Sequence, residues 1–398
     1  MKQIYLKRGK EESLLRFHPW VFSGAIQRMD DGISEGETVR VVTGQGDFIA
    51  VGHYQQGSIA VRVLTFSDVA IDHQFWTARL RSALQLREAL GLLPPQGGQE
   101  GGSPQTNAFR LVHGEGDHLP GLIIDVYGQT AVMQAHSIGM HLCRHDIARC
   151  LTEVMEGRLA HVYYKSDTTL PFMEPESGFL VGGKDVADDI AIENGLRFHV
   201  DWLRGQKTGF FVDQRDNRAL LERYAKGRRV LNMFCYTGGF SFYAMRGGAK
   251  LVHSVDSSAK AIELTRRNVA LNFPDDMRHE PFCEDAFKFL DGANDYDLVI
   301  LDPPAFAKHR AALHNALKGY IRLNNKALER MPQGSILFTF SCSQVVSKDQ
   351  FRSAVFTAAA QARRKVRILH QLHQPADHPI NIYHPEGEYL KGLVLYVE

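Results

Sequence analysis

A chain of 398 residues with 44% hydrophobic and 23% charged side chains has room for two or three domains with cores of their own, which excludes a wholly disordered or collagen-like polymer. No apolar run approaches the ~18 residues of a membrane span, and the opening MKQIYLKRGKEESLLRFHPW carries charges where a signal peptide needs an apolar stretch, so a cytoplasmic protein with no membrane partner is expected. Lys+Arg 46 against Asp+Glu 45 leaves a net charge of +1, so a polyanion partner would have to be met by local patches and not by the molecule as a whole.

Residues 1–70 read as short β-runs broken by glycine. Runs at 38–42, 47–54 and 59–64 lie among Gly44, Gly46 and Gly57, the pattern of a small all-β barrel or meander. Residues 71–187 read as a small α+β domain. Phe75, Leu80, Leu84, Leu86 and Leu90 predict an amphipathic helix over 72–92. The stretch from Pro94 to Pro104, rich in proline and glycine, predicts a mobile surface loop. Gly128-Gln129 joins strands at 121–127 and 130–135 as a hairpin, followed by a helix over 141–155 and a strand at 162–165. His136, His141, Cys143, His145 and Cys150 crowd together, but Cys143 and Cys150 stand seven apart, outside the spacing of closed zinc sites, and no metal is expected. With Cys235, Cys283 and Cys342 the cysteines are odd in number and sparse, and they read as reduced thiols.

From 188 to 398 strands and helices alternate. Buried-type strands at 229–234, 251–255, 296–301 and 335–340, with helices at 259–272 and 311–331 among them, predict a doubly wound parallel sheet. Ligands of such sheets bind beyond the carboxyl ends of the strands, so the strand-end residues carry the functional question.

The first strand ends in Cys235-Tyr236-Thr237-Gly238-Gly239-Phe240, where two glycines allow a tight turn and a close ligand approach at a helix N-terminus. The second ends at Asp256, eighteen positions after Gly238, where a carboxylate can accept from both hydroxyls of a ribose. The third ends at Glu284-Asp285, where Asp285 can accept from an adenine amine. An adenosine-type cofactor follows. The third glycine of the dinucleotide fingerprint is missing, which disfavours a nicotinamide dehydrogenase and leaves S-adenosylmethionine, which has no phosphate to clamp. The fourth strand delivers Asp302-Pro303-Pro304-Ala305-Phe306, a proline-stiffened loop in which Asp302 can hold a planar base and Phe306 can stack on it. The fifth delivers Thr339-Phe340-Ser341-Cys342-Ser343. A thiolate there can add to C6 of a pyrimidine and activate C5, a route that methylation at a ring nitrogen does not need.

With these residues in view, the chain closely resembles the RlmI-type ribosomal RNA cytosine-C5 methyltransferases over essentially its whole length. Lys7-Arg8-Gly9-Lys10 and His18-Pro19-Trp20-Val21-Phe22-Ser23-Gly24 resemble the opening of that family's RNA-binding PUA domain, Gly116-Asp117-His118-Leu119-Pro120-Gly121-Leu122 its middle domain, and residues 206–215 the segment preceding its methyltransferase domain. The resemblance implies an N-terminal PUA barrel over 1–70, an α+β middle domain over 71–187 and a Rossmann-like S-adenosylmethionine methyltransferase domain over 188–398. It also implies that Cys342 is the nucleophile and Asp302 orients the cytosine, with Pro303, Pro304 and Phe306 in the substrate loop. Tyr236, Thr237, Gly238, Gly239, Asp256 and Asp285, joined by Gln214 and Arg215, would hold the cofactor. A second cysteine that another branch of such enzymes carries after the fourth strand is replaced here by Ala305, so the base that takes the C5 proton is not named.

The partner so implied is ribosomal RNA, naked or partly assembled, since the target base must be unpaired or flipped out. The basic start, the Arg204 to Arg229 run with eight basic against three acidic residues, and Arg363-Arg364-Lys365 are candidates to track phosphates. Two other readings stay open: methylation at a base nitrogen such as guanine N7, and a catalytically silent RNA-binding assembly factor. A homodimer is allowed but not demanded.

Overall fold

The computed structural model describes residues 1–93, 105–170, 176–183, 190–307 and 309–398. The expected loop from Pro94 to Pro104 lies outside the described residues. Two compact units result. The first comprises Met1–Gly195, Val200–Val212 and Ala376–Gly387, and the second Leu196–His199, Asp213–Pro375 and Glu388–Glu398.

In the first unit, β1 (Gln3–Leu6), β2 (Trp20–Phe22), β3 (Ile26–Met29), β4 (Thr38–Val42), β5 (Phe48–Tyr54) and β6 (Ile59–Thr65) form one sheet in the order β2-β6-β5-β4-β1-β3. Alternating residues Ile4, Leu6, Val39, Val41, Val61 and Val63 fill its core, as the period of two requires. A second sheet, β11-β10-β9-β8-β7, uses β7 (Ala108–His113), β8 (Leu122–Tyr127), β9 (Thr130–Ala135), β10 (His161–Lys165) and β11 (Ser177–Val181). The helix His73–Ala89 begins where Asp72 caps it by accepting from the Phe75 amide at 3.0 Å, and it buries Trp76, Leu80 and Leu84 in that sheet's core. The single helix expected over 141–155 is two helices, Ile138–Leu142 and Arg144–Val154. Ser137 caps the first by accepting from the Met140 amide, and the chain breaks at Cys143.

A buried ionic network runs through this unit. The Arg87 guanidinium, fully buried, donates to both carboxylate oxygens of Asp117 at 2.5 and 2.9 Å and to the Asp377 carbonyl at 2.7 Å. Arg110 pairs with Asp125 through two bonds of 2.7 and 2.8 Å, and its backbone amide donates to the Asp377 carboxylate at 3.0 Å. Asp377 therefore fastens the late 376–387 segment to strands laid down far earlier in the chain.

After β12 (Ile190–Glu193) and β13 (Leu196–His199), the second unit is built on β14 (Arg229–Met233), β15 (Leu251–Asp256), β16 (His279–Cys283), β17 (Leu298–Leu301), β18 (Ser335–Ser341), β19 (Val366–Leu372) and β20 (Lys391–Val397). Their order is β16-β15-β14-β17-β18-β20-β19. The first five run parallel, and β20 lies antiparallel between β18 and β19. Pro281 sits in β16, at the sheet edge where a missing amide costs no ladder bond. The helix Leu313–Arg330 turns Ala316, Tyr320, Leu323 and Ala327 onto the sheet at helical spacing, Leu323 alone contributing roughly 1.5–3 kcal/mol by burial. The chain reverses its direction of travel across the sheet between β14 and β17, the switch point beyond whose carboxyl ends ligands of such sheets bind. Among the described residues no helix is long and apolar enough to cross a membrane.

Candidate active site

The turn leaving β14 is held in a conformation few side chains adopt. Phe234, Tyr236 and Gly238 all have positive φ, at 58°, 48° and 85°, a strain that persists only where the surroundings over-determine it. They do so here. The Tyr236 amide donates to Asp256 Oδ2 at 3.0 Å, the Thr265 hydroxyl to the Tyr236 carbonyl at 3.0 Å, and the Asn268 amide to the Thr237 carbonyl at 3.3 Å. Gly238 then opens the helix Gly239–Arg246. A Cβ on Gly238 would come within 2.6 Å of the Phe242 ring and 2.8 Å of Thr265, so packing and backbone both require a residue without a side chain, in keeping with the tight turn expected there. Gly239 lies against the stem of Arg218 in the same way, with 3.1 Å to Cδ.

Asp256 ends β15. Its Oδ1 accepts from the Ser258 amide at 2.9 Å and its Oδ2 from Tyr236. Each carboxylate oxygen has two acceptor sites, so one amide apiece fixes the group while leaving capacity for paired hydroxyls. Asp285 caps the helix Ala286–Gly292, with Oδ1 accepting from the Phe287 and Lys288 amides at 3.0 Å. Two anchored carboxylates at neighbouring strand ends, beside a strained turn, are an acceptor set that fits the ribose hydroxyls and adenine amine of S-adenosylmethionine.

On the neighbouring strand end, Asp302 follows β17. Its Oδ2 accepts from the Gln214 side-chain amide at 3.0 Å, and the Gln214 oxygen accepts from Asn217 at 2.6 Å. Gln214, assigned to the cofactor by family resemblance, thus has its amide on the substrate-loop carboxylate. Pro303 is buried and Pro304 exposed. Phe306 lays its ring on Tyr320 with centroids 4.7 Å apart and packs over Gly319. Cys342 follows β18, half-buried, with Sγ 3.9 Å from the Pro303 carbonyl. The Ser343 hydroxyl donates to the Ala307 carbonyl at 2.6 Å, tying the cysteine loop to the proline loop. Asp302, Pro303 and Cys342 are therefore brought together, as are Tyr236, Thr237, Gly238 and Asp256 in the neighbouring turn.

Two of the remaining thiols are inert. Burial pushes the Cys235 thiol far up and that of Cys143 up to about 11, and both are held in the unreactive form at neutral pH. The histidines and cysteines that crowd between 136 and 150 are spent separately: His141 Nδ1 bonds the Tyr164 hydroxyl at 2.8 Å, and the Cys150 thiol donates to the His73 carbonyl at 3.7 Å. The basic run from Arg204 is not one solvated face, because Arg215 and Arg218 are 5% and 2% exposed. Three contributors had no local signal in the sequence: Asn217, Tyr320 and Lys391. Tyr320 accepts from Ser341 Oγ at 2.9 Å, and burial pushes its hydroxyl up to about 12, which keeps it a neutral prop.

A family model described as S-adenosylmethionine-dependent methyltransferase matches residues 170–381, and one described as a PUA-like domain matches residues 4–66. Proteins named ribosomal RNA large subunit methyltransferase I are similar throughout. That of Tolumonas auensis is 41% identical, covering 98% of each chain, and that of Escherichia coli is 38% identical, covering 99% of each. The chain belongs to this family. Its S-adenosylmethionine-dependent methyltransferase fold also matches a solved SAM-dependent methyltransferase from Streptococcus mutans, with TM-score 0.84 at 22% identity over 99% of this chain and 100% of that one. A methyltransferase structure complexed with SAH matches with TM-score 0.85 at 22% identity, over 99% of this chain and 100% of that one. S-adenosylmethionine is accordingly the cofactor of this methyltransferase.

Proposed function

We propose that the chain methylates C5 of a cytosine in large-subunit (23S) ribosomal RNA, through transient addition of Cys342 to C6. The observation that carries this reading is the meeting of a half-buried thiol with the Pro303 carbonyl at 3.9 Å, one residue from a carboxylate braced at 3.0 Å by Gln214. The RNA substrate is supported by the names of the similar proteins and by the PUA-like domain at residues 4–66.

A pyrimidine C5 is too weak a nucleophile to take a methyl group directly. Addition of the Cys342 thiolate forms a C6–S bond and breaks the C5=C6 double bond, leaving a C4=C5 enamine with its electron density at C5. When bound at the turn after β14, S-adenosylmethionine supplies an electrophilic methyl group for that carbon. Loss of the C5 proton to a base then drives the electron pair back into the ring and breaks the C6–S bond, so Cys342 leaves as it entered. Asp302 accepts from the exocyclic amine of cytosine, a group that uracil lacks, and its anchorage to Gln214 fixes the ring's orientation so that the thiol meets its face at C6. Tyr236, Thr237, Gly238, Gly239, Asp256 and Asp285 form the cofactor side.

The test is to map 5-methylcytosine in 23S ribosomal RNA from a deletion strain carrying either the wild-type chain or Cys342→Ala. The expected outcome is a modified cytosine with the first and an unmodified one with the second. Retained methylation with Cys342→Ala, or a methyl found on a base nitrogen such as guanine N7, overturns the reading. RNA binding with no methyl transfer by the wild-type chain points instead to a silent assembly factor.

A further inference from the structure

The loop that carries Cys342 rests on a buried cation. Lys391 begins β20 and pairs with Ser341 in the antiparallel register with β18, so the lysine and the residue before Cys342 are neighbours across the sheet. Lys391 is 6% exposed. Its Nζ donates to the Ser343 carbonyl at 2.5 Å and to the Val346 carbonyl at 2.7 Å, two oxygens of the turn that follows the cysteine. Taking an ammonium out of water is costly, and a methionine of similar length would fill the same space without that cost. Burial accordingly pulls Lys391 down to about 8. A charge kept against such a penalty calls for a compensating interaction, and Cys342 is the first group that acts on Lys391 in the opposite sense, favouring the ammonium. That coupling is mutual: whatever the thiolate does for the ammonium, the ammonium does for the thiolate.

We infer that Lys391 is a positioning residue for Cys342, fastening the 343–346 turn and biasing the thiol toward thiolate at neutral pH. This rests on the reading of Cys342 as the nucleophile. The other groups around the pair leave room for it. A carboxylate on the loop after β17, that of Asp302, has the same sign as a thiolate, and Tyr320, from the helix Leu313–Arg330, stays neutral, its hydroxyl pushed up chiefly by burial. Glu388 and Lys348 also act on Lys391, in opposite senses, and are paired with each other at 2.5 Å.

The experiment follows alkylation of Cys342 by iodoacetamide against pH, in the full-length chain, read by mass spectrometry of the peptide that contains it. The rate tracks the thiolate fraction, so its midpoint gives the thiol pKa without any RNA or cofactor. The wild-type midpoint is expected below the ~8.5 of a free cysteine. Lys391→Arg should keep it there, and Lys391→Met should raise it by about one unit, slowing alkylation at pH 7 about tenfold while leaving the high-pH plateau in place. A purely structural lysine would change the plateau and leave the midpoint where it was. Equal midpoints in wild type and Lys391→Met overturn the inference. So does a wild-type midpoint at or above that of a free cysteine, a measurement that needs no variant to fold. Failure of the nucleophile reading shows separately, as 5-methylcytosine made by Cys342→Ala.

Discussion

Gln214 and Asp302 are 88 residues apart in sequence and 3.0 Å apart in the fold, amide to carboxylate, with Asn217 steadying the far side of the glutamine at 2.6 Å. A carboxylate held this way presents its remaining lone pairs in one direction. Hydrogen bonds to charged groups contribute roughly 1.5–3 kcal/mol, so Gln214→Ala should lower kcat/KM for methyl transfer to RNA by about 10- to 100-fold. Titration with S-adenosylhomocysteine separates the two roles open to this residue. Cofactor affinity should hold within a few fold if the amide serves Asp302, and a loss of affinity as large as the loss of rate would return Gln214 to the cofactor side.

Gly238 offers a second test. Its φ of 85° and the 2.6 Å approach that a Cβ would make to Phe242 both count against any side chain. Gly238→Ala should destabilise the second unit by about 1–3 kcal/mol. It should also abolish the rise in melting temperature that S-adenosylhomocysteine gives the wild type, since the turn braced by Asp256 would have to shift. An unaltered ligand-induced rise would show that the turn does not form the cofactor site.

Arg87 carries a stability prediction. Removing it strands the buried Asp117 carboxylate, and breaking a buried pair from one side costs about 3–5 kcal/mol. Trp20, Trp76 and Trp202, all the tryptophans of the chain, belong to the first unit, so their fluorescence in urea reports on it. Arg87→Met should move that transition to markedly lower urea. A midpoint within experimental error of wild type would mean that the network adds nothing to stability.

His53 predicts an acid sensitivity. It is 3% exposed and lies over Gly139, where an added Cβ would fall 2.2 Å from the ring, and burial pulls its pKa down to about 4. The unfolded chain takes up this proton near pH 6.5 and the folded chain does so only near 4. Its contribution is therefore whole above pH 6.5 and is lost as pH falls toward 4, by ~3 kcal/mol in all. Urea titrations at pH 7 and pH 5 should show the first unit weakening, and His53→Gln should flatten that dependence. A slope unchanged in the variant would assign the sensitivity to other groups.

What the sequence disclosed and what it withheld follow from the range of the interactions. Runs such as Val230-Leu231-Asn232-Met233 and Leu298-Val299-Ile300-Leu301 are buried on both faces and read as unbroken apolar strands, so the chemistry at their ends could be read with them. β19 is largely exposed along Val366–Leu372 and β16 carries a proline, and neither gave a clear strand signal. Asn217 and Lys391 gave none, because their roles depend on which strands end up adjacent. The glycines at 238 and 239 were found for a local reason, but the partners that require them, Phe242, Thr265 and Arg218, are set by packing. The arginine run lies only partly at the surface, because charge in sequence does not fix exposure: Arg218 packs against Gly239, where the next helix begins.

The placing of β20 has an effect on how the second unit tolerates damage. β19 touches the sheet through β20 alone, although it precedes β20 in the chain. A cut or frameshift anywhere ahead of Lys391 would cast off both strands at once and bare the flank of β18, whose seven residues are all buried. An uncapped apolar ladder of that kind recruits other strands, so such truncated products should precipitate instead of persisting as weakened enzymes.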